Sequence, residues 1–524
     1  MGKNKPLLWT AVLAAAGTVQ AQDTYMNERL TNNSSDIIGT ARYVGMGGAL
    51  GALGADMSVI SWNPAGIGLF RKNDIAMTFG GIWGKSYIAQ ENRGKGTVDQ
   101  AGFVYNIKTD NETCPYVNFA FNYQKKINYN YNFHASNPNL GGLSQMDQLA
   151  QLTEYYGEQS DPQNLTELAV TYNGNDGLFF DQDDYSNPYR SYSNRYTHHS
   201  EGSLQAFDFN LSTNINNRAF LGLTVGVDNM RYRSWSDYTE EGDGSYGLRD
   251  YDIHTSGTGV NVKLGAIVRP FEDNSFRFGF AVETPTWYRL RRGSYFYYYD
   301  NDIGALTDDG DSYMKFNIRS PWKVRACIGS TVGSAFAWDI DYEYAGYAGS
   351  SMSYPEFEYD DGSTSGNVKD VEMNKLTRDN LRGTHTLRMG MEVNASKHLA
   401  FRLGYNLSTS AYKKDISFDQ YNLYSYEMNS AMNYATSTSY MRMGNTNILT
   451  LGMGYHYKSF YVDLAYKIRH QKADFYAFDT SFTNSNTGDP VFLNNNLSLA
   501  DKTIDPVDVD LTRQTVICTL GFKF

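Results

Sequence analysis

Apolar and polar residues alternate one by one in short bursts along most of this chain, and each burst predicts a β-strand with two unlike faces. In "VNVKLGAIV", Val260, Val262, Leu264, Ala266 and Val268 share one face, while Asn261, Lys263 and Gly265 share the other. "FRFGFAV" sets Phe276, Phe278, Phe280 and Val282 against Arg277 and Gly279. "AFAWDIDYEY" sets Phe336, Trp338, Ile340, Tyr342 and Tyr344 against Asp339, Asp341 and Glu343. "LAFRLGY" and the final "TVICTLGFKF" repeat the pattern, with Arg402 and Gly404, then Thr519, Gly521 and Lys523, on the polar side.

A soluble sandwich alternates in the same way, so the connections have to decide. Fourteen strand candidates begin near residues 73, 101, 115, 203, 218, 256, 276, 320, 335, 384, 399, 446, 460 and 513. The gaps between them run long, short, long, short. The short ones hold "DNETCP", "INN", "RPFEDNS", "TVGS", "NASKH" and "KS"; the long ones hold roughly 15 to 70 residues rich in Tyr, Asp, Asn, Ser and Gly. Turns on one side and loops on the other are expected of strands that cross a membrane. The expected fold class is therefore all-β, a transmembrane antiparallel β-barrel of about 14 strands, whose closure pairs every backbone group without leaving an edge.

In such a barrel the apolar faces meet lipid and the polar faces line the lumen. The stretch "INYNYNF" is then expected to turn Ile127, Tyr129, Tyr131 and Phe133 to lipid, and Asn128, Asn130, Asn132 and His134 inward. "SYFYYYD", ending at Asp300, and "TPTWY", with Trp287 and Tyr288, read as interfacial aromatic girdles. The terminal Phe524 fits a last strand read by the barrel-assembly machinery, an expected partner during biogenesis.

The start, "MGKNKPLLWTAVLAAAGTVQA", reads as an export signal over residues 1–21, with Lys3 and Lys5 before an apolar run and small residues up to Ala21. Gln22 would follow the cut, so no lipid anchor is expected there. No later run of about 18 apolar residues appears, so no membrane helix is expected. The net charge of −12 disfavours a nucleic-acid partner. Tyr (42), Phe (28) and Gly (48) suit β-structure. Cys114, Cys327 and Cys518 have no metal-site or framework spacing and read as separate apolar side chains.

Residues 22–72 do not alternate and precede the barrel of 73–524. Gly48, Gly51 and Gly54 lack the pattern of a nucleotide-binding loop, and their density instead lets a backbone pack closely, as a plug inside the lumen requires. "WNPAG", Trp62 to Gly66, reads as a turn. The stretch "GMGGALGALGADMSVISWNPAGI" resembles the N-terminal hatch of the FadL/TodX family of outer-membrane transporters for long-chain fatty acids and aromatic hydrocarbons. "IVRPFEDNSFRFGFAVETPTWY" is similar to a later turn and strand of that family. The resemblance implies a fourteen-stranded barrel, passage of a hydrophobic ligand from extracellular loops into the barrel, and lateral exit, with Asn63, Pro64, Ala65 and Gly66 shaping the gate. It implies the outer membrane, with membrane lipid and a hydrophobic small molecule as partners and both termini periplasmic.

Other candidate chemistry is sparse. Arg325, Arg388 and Arg402, with Lys263, Lys323 and Lys467, could meet a ligand carboxylate. Alternatively they neutralise Asp339, Asp341, Glu343, Glu392 and Asp463. Acidic clusters at Asp181–Asp184, Glu240–Gly244 and Asp308–Asp311 read as solvated loops rather than calcium sites. His198-His199 reads as a wet loop rather than a metal site, and Leu143–Gly157 as a short helix over the barrel mouth. No cofactor, metal or catalytic residue is assigned, and no enzyme is expected. The functional expectation is a hatch-gated channel for a long-chain fatty acid or similar molecule. The alternatives are a surface adhesin or scaffold acting through long polar loops, and then a general diffusion pore.

Overall fold

The computed structural model describes residue 32 and residues 36–83, 96–143, 191–242, 245–271, 275–300, 304–355, 366–414, 439–478 and 504–524. The signal stretch, most of Leu143–Gly157 and the Asp181–Asp184 cluster lie outside them.

Fourteen antiparallel strands form a closed wall. In chain order they are β1 (Asp74–Trp83), β2 (Gly96–Lys108), β3 (Tyr116–Asn128, continued by Tyr131–Asn137), β4 (Ser191–Ile215), β5 (Ala219–Gly242) and β6 (Ser245–Val268). Then come β7 (Arg277–Glu283 and Trp287–Asp300), β8 (Gly304–Arg319 and Lys323–Val332), β9 (Phe336–Gly346 and Ser351–Pro355) and β10 (Gly383–Asn394). The last four are β11 (Leu399–Ser408), β12 (Tyr440–Tyr457), β13 (Phe460–Tyr476) and β14 (Val507–Asp510 and Arg513–Lys523). β14 pairs with β1 from Asp74↔Lys523 to Trp83↔Gln514, which closes the ring.

The tight connections gather at one end. Asn216 and Asn217 open the three-residue turn between β4 and β5, where Ile215 pairs Ala219, with φ of 51° and 54°, left-handed values that asparagine tolerates. Lys458 and Gly333 take similar φ values between β12 and β13 and between β8 and β9. At the other end the expectation of long loops is corrected in part. β5 and β6 continue as strands to Gly242 and from Ser245, and β7 and β8 to Asp300 and from Gly304. Glu240 and Glu241, Asp308–Asp311 and His198-His199 therefore sit in strands, not loops.

That extension explains a second correction. A 24-residue strand such as β5 is ~80 Å long, and about 60 Å tall at a usual tilt, against an apolar band of about 25 Å. The outer side chains divide accordingly. Near the turn end they are apolar and exposed: Phe79, Phe119, Leu223, Phe280, Leu403 and Leu451. Further up the same wall they are polar, as with Arg231 and Arg233 on β5 and His254, Ser256 and Thr258 on β6. Inside, the order reverses: Asp208, Asn210, Asn261 and Lys263 are buried low, and Met230, Tyr232, Leu290 and Phe316 are buried high. The wall thus wears grease outward through the membrane and inward beyond it.

Strands achieve this reversal in two ways. β4, β5 and β6 keep their phase and change chemistry, as where outward Val225 and Val227 give way to Asn229 and Arg231. β3, β7, β8 and β9 keep the chemistry in phase and change the backbone. In β3 the register to β4 slips between Lys125 and Ile127, so Lys126 is an extra residue. One such bulge moves every later side chain to the other face. Ile127, Tyr129 and Phe133 are consequently buried inside the barrel, while His134 is exposed. The lipid-facing assignment of "INYNYNF" is overturned at these positions, because the stretch stands beyond the hydrocarbon. Interruptions at Thr284–Thr286, Ser320–Trp322 and Tyr347–Ser350 do the same for β7, β8 and β9. Trp287 and Trp322 lie exposed at two of these breaks, and Tyr288 points inward instead of joining a girdle.

Candidate functional site: the lumen and its plug

The lumen is occupied by the chain's own N-terminal segment. Short helical turns at α1 (Ala41–Gly45), Met57–Ser61 and Pro64–Leu69 carry it, each started by a side chain that accepts a backbone N–H: Thr40, Asp56 and Asn63 respectively. A cluster of Ile37, Val44, Met46, Leu50, Val59 and Ile60 forms its apolar interior. Around it the wall provides space through glycine. A methyl built on Gly222 of β5 would lie 2.5 Å from Ala65 N, and one on Gly404 of β11 2.5 Å from Gly47 Cα. Methyls on Gly265 and Gly279 would lie 2.8 Å from Pro64 Cδ and from Gly51 O. The lumen-side glycines of the strand pattern are therefore contact points rather than gaps.

Charge fixes the segment around its rim. Lys467 of β13 and Arg513 of β14 donate to Asp36 at 2.6 and 2.9 Å. Burial opposes charge on Asp36, but Lys467, Arg513 and Arg469 outweigh it and hold the carboxyl well below its usual range. Arg42 pairs with Glu392 at 3.1 Å. Three successive amides, Gly51, Ala52 and Leu53, donate to Asp341 and Asp339 of β9 at 3.0, 3.0 and 2.8 Å. Left-handed Gly47, Gly48 and Gly54 shape the surrounding loop.

The residues singled out from the sequence for the gate and for ligand contact lie at and around the plug. Asn63 is fully buried; its Nδ2 donates to Gly51 O at 2.8 Å and its Oδ1 accepts from Ala65 N at 3.2 Å. Pro64 O accepts from Ser212 at 3.0 Å, and Gly66 N donates to Asn63 O at 3.0 Å. Asn63, Pro64, Ala65 and Gly66 thus form one compact turn against β4, β5 and β6. Arg325 bridges Glu283 and Glu343, both at 2.5 Å, and donates to Trp62 O at 3.0 Å. Arg388 lies 3.5 Å above the Trp62 ring and donates to the Tyr43 hydroxyl at 2.6 Å. Arg402 joins Glu392 and Asp463 at 2.6 and 2.5 Å. All three face the plug or the ion pairs beside it. Asp339 and Asp341, grouped by sequence with the cations' partners, instead receive plug amides.

Two features were not visible in the sequence. One is an apolar cluster above the plug, made of Ile127, Tyr129, Tyr232, Tyr288, Leu290 and Phe316 among others. The other is a seam. The β2–β3 ladder ends at Gln100↔Gln124, although β2 runs on to Gly96 and β3 to Asn128. Beyond it β3 leans across the barrel: Arg513 of β14 donates to Asn128 O at 3.0 Å, and Phe133 meets Phe475 of β13 with ring centres 5.7 Å apart. A polar cavity of about 550 Å³ opens at the turn end, lined by Arg42, Asp56, Glu392, His398 and Asp463 among others.

The fold is a lipid-facing barrel closed around its own N-terminal segment. No family model and no curated protein matches the sequence. Among solved structures it is similar to a Pseudomonas aeruginosa FadL homologue, with 12% identity, coverage of 93% of this chain and 99% of that one, and a TM-score of 0.49. It is similar too to the Ralstonia pickettii toluene transporter TbuX (12% identity, 94% and 100% coverage, TM-score 0.46) and the Pseudomonas putida toluene transporter TodX (10%, 93% and 99%, 0.46).

Proposed function

We propose that this protein is an outer-membrane channel through which a hydrophobic small molecule, such as a long-chain fatty acid, leaves the outside medium and enters the membrane plane. The seam between β2 and β3 carries this reading. Both strands continue past the last pair of their ladder, and the inward apolar side chains of Ile127 and Tyr129 begin beside it. A ligand held among Tyr129, Tyr232, Leu290 and Phe316 would stay out of water above a polar, hydrogen-bonded plug, and the seam offers it a way sideways. The likeness of Gly45–Ile67 to the FadL/TodX hatch supports the same route. On this reading the turns and both termini are periplasmic, and the Asn63–Gly66 turn sets the plug's position.

Proteoliposomes loaded with a fatty-acid-binding fluorophore test it. Protein-dependent entry of oleate is expected, and Tyr232→Asp, which puts a charge into the apolar cluster, is expected to lower it at least tenfold. Asn63→Ala with Pro64→Ala is expected to alter flux with the barrel intact. Absence of any protein-dependent entry would refute transport. The tall polar outer wall of β4, β5 and β6 would then favour the adhesin or scaffold reading.

A further inference from the structure

Directly beyond the apolar belt, the outer wall carries a block of arginines. Arg231 of β5, Arg289 and Arg291 of β7 and Arg319 of β8 are all exposed. Register sets them side by side. Arg231 lies opposite Ser256, Ser256 opposite Arg291, and Arg291 opposite Lys315, so one row crosses four strands. Arg289 sits one row lower between Thr258 and Asn317, and Arg319 one row lower again, opposite Trp287. With strands about 4.8 Å apart, the upper row is ~15 Å wide.

The four arginines have no partner among the described residues. The outward positions between them, Asn229, Ser256, Thr258, Asn317, Ser351 and Ser353, are neutral. On the flanking strand β4, Glu201 stands opposite Arg233 and not in this block. Val260 and Trp287, level with Arg319, and Trp322 below it are exposed belt residues. Like charges this close repel one another unless an anion joins them. A guanidinium accepts phosphate oxygens in a forked geometry. The anion nearest to hand at the edge of a hydrocarbon belt is a lipid headgroup.

We propose that Arg231, Arg289, Arg291 and Arg319 bind the phosphates of a phosphorylated glycolipid in the outer leaflet. The leaflet follows from the orientation proposed above, but neither that orientation nor transport enters the test. Full-length protein in detergent is titrated with bisphosphorylated lipid A, or with the same lipid after phosphatase treatment, and bound lipid is counted by native mass spectrometry. Retention of the bisphosphorylated form is expected, with at least tenfold weaker binding of the dephosphorylated one. Replacing all four arginines by Gln is expected to weaken binding at least tenfold. Replacing four exposed turn-end lysines, Lys72, Lys108, Lys397 and Lys458, by Gln removes the same charge and is expected to leave it intact. If the fourfold arginine variant does not fold, Arg291→Gln alone is expected to weaken binding severalfold. Equal binding of the dephosphorylated lipid, unchanged binding by the arginine variants, or displacement by millimolar inorganic phosphate would overturn the proposal.

Discussion

Adding two methyl groups to the wall should loosen the plug. Gly222 and Gly404 sit in β5 and β11, far apart around the fourteen-strand ring, and each faces plug backbone. A Cβ at either position would stand 2.5 Å from a plug atom, Ala65 N in one case and Gly47 Cα in the other. Comfortable separation is about 3.5 Å, and other plug backbone atoms lie nearer still, so each alanine asks for at least about 1 Å of movement. Backbone on both sides of the contact leaves no flexible side chain to yield. Overpacking of this kind costs about 1–3 kcal/mol. The two sites press on one connected segment from different sides, so their costs are expected to couple and to total about 2–6 kcal/mol. That is enough to populate a displaced plug while the strand ladders, which hold the barrel, stay paired. Planar-bilayer conductance reads this directly. Wild type is expected to be nearly closed to ions, and Gly222→Ala with Gly404→Ala to show frequent or persistent openings. Heat-modifiable gel mobility confirms that the barrel has formed. A double variant as closed as wild type, with unchanged mobility, would refute close packing of this segment in the lumen.

Two further outcomes follow from the plug's polar contacts. Asp339→Ala leaves the Ala52 and Leu53 amides without their acceptor. At about 1–3 kcal/mol for each buried donor, it should increase conductance, and Asp339→Asn, which keeps an acceptor, should do so less. Asp36 has a lowered carboxyl in the folded protein, so its contribution is fully present above about pH 4 and is lost as pH falls below the unfolded value. Conductance should therefore stay low from neutral pH to about pH 4 and rise in stronger acid; Asp36→Asn should open more at neutral pH and show a smaller acid-dependent step, since the Arg42–Glu392 pair is still lost there.

The part of the barrel inside the membrane was legible because lipid leaves a strand only one arrangement, apolar out and polar in. Runs such as Val260–Val268 and Phe278–Val282 announce it, and the fourteen starts read from the sequence all fall on or beside wall strands. The upper wall was not legible. There the strands are half-buried in the soluble sense, and sequences such as Ser191–Gly202 carry so many polar and turn-forming residues that they look like loops. "INYNYNF" misled for a sharper reason. Its apolar residues resume in the phase of Phe119, Phe121 and Tyr123 after the polar run Gln124–Lys126, and that unshifted phase conceals the one-residue bulge within the run. The plug's glycines were readable as close-packing residues. Their partners were not, since Gly222, Gly265 and Gly404 lie far along the chain and only closure of the sheet brings them to the segment.

The reversal of the wall's polarity is most directly measured with nitroxide labels on single cysteines, in a background with Cys114, Cys327 and Cys518 replaced by Ala, reconstituted into bilayers. Labels at Leu223, Leu264 and Phe280 should collide readily with dissolved oxygen and rarely with a water-soluble nickel chelate. Labels at Arg233, His254 and Arg291 should do the opposite, and one at Tyr129 should be shielded from both. Water-like exposure at Leu223 and Phe280, or lipid-like exposure at Tyr129, would contradict the arrangement on which the proposed channel rests.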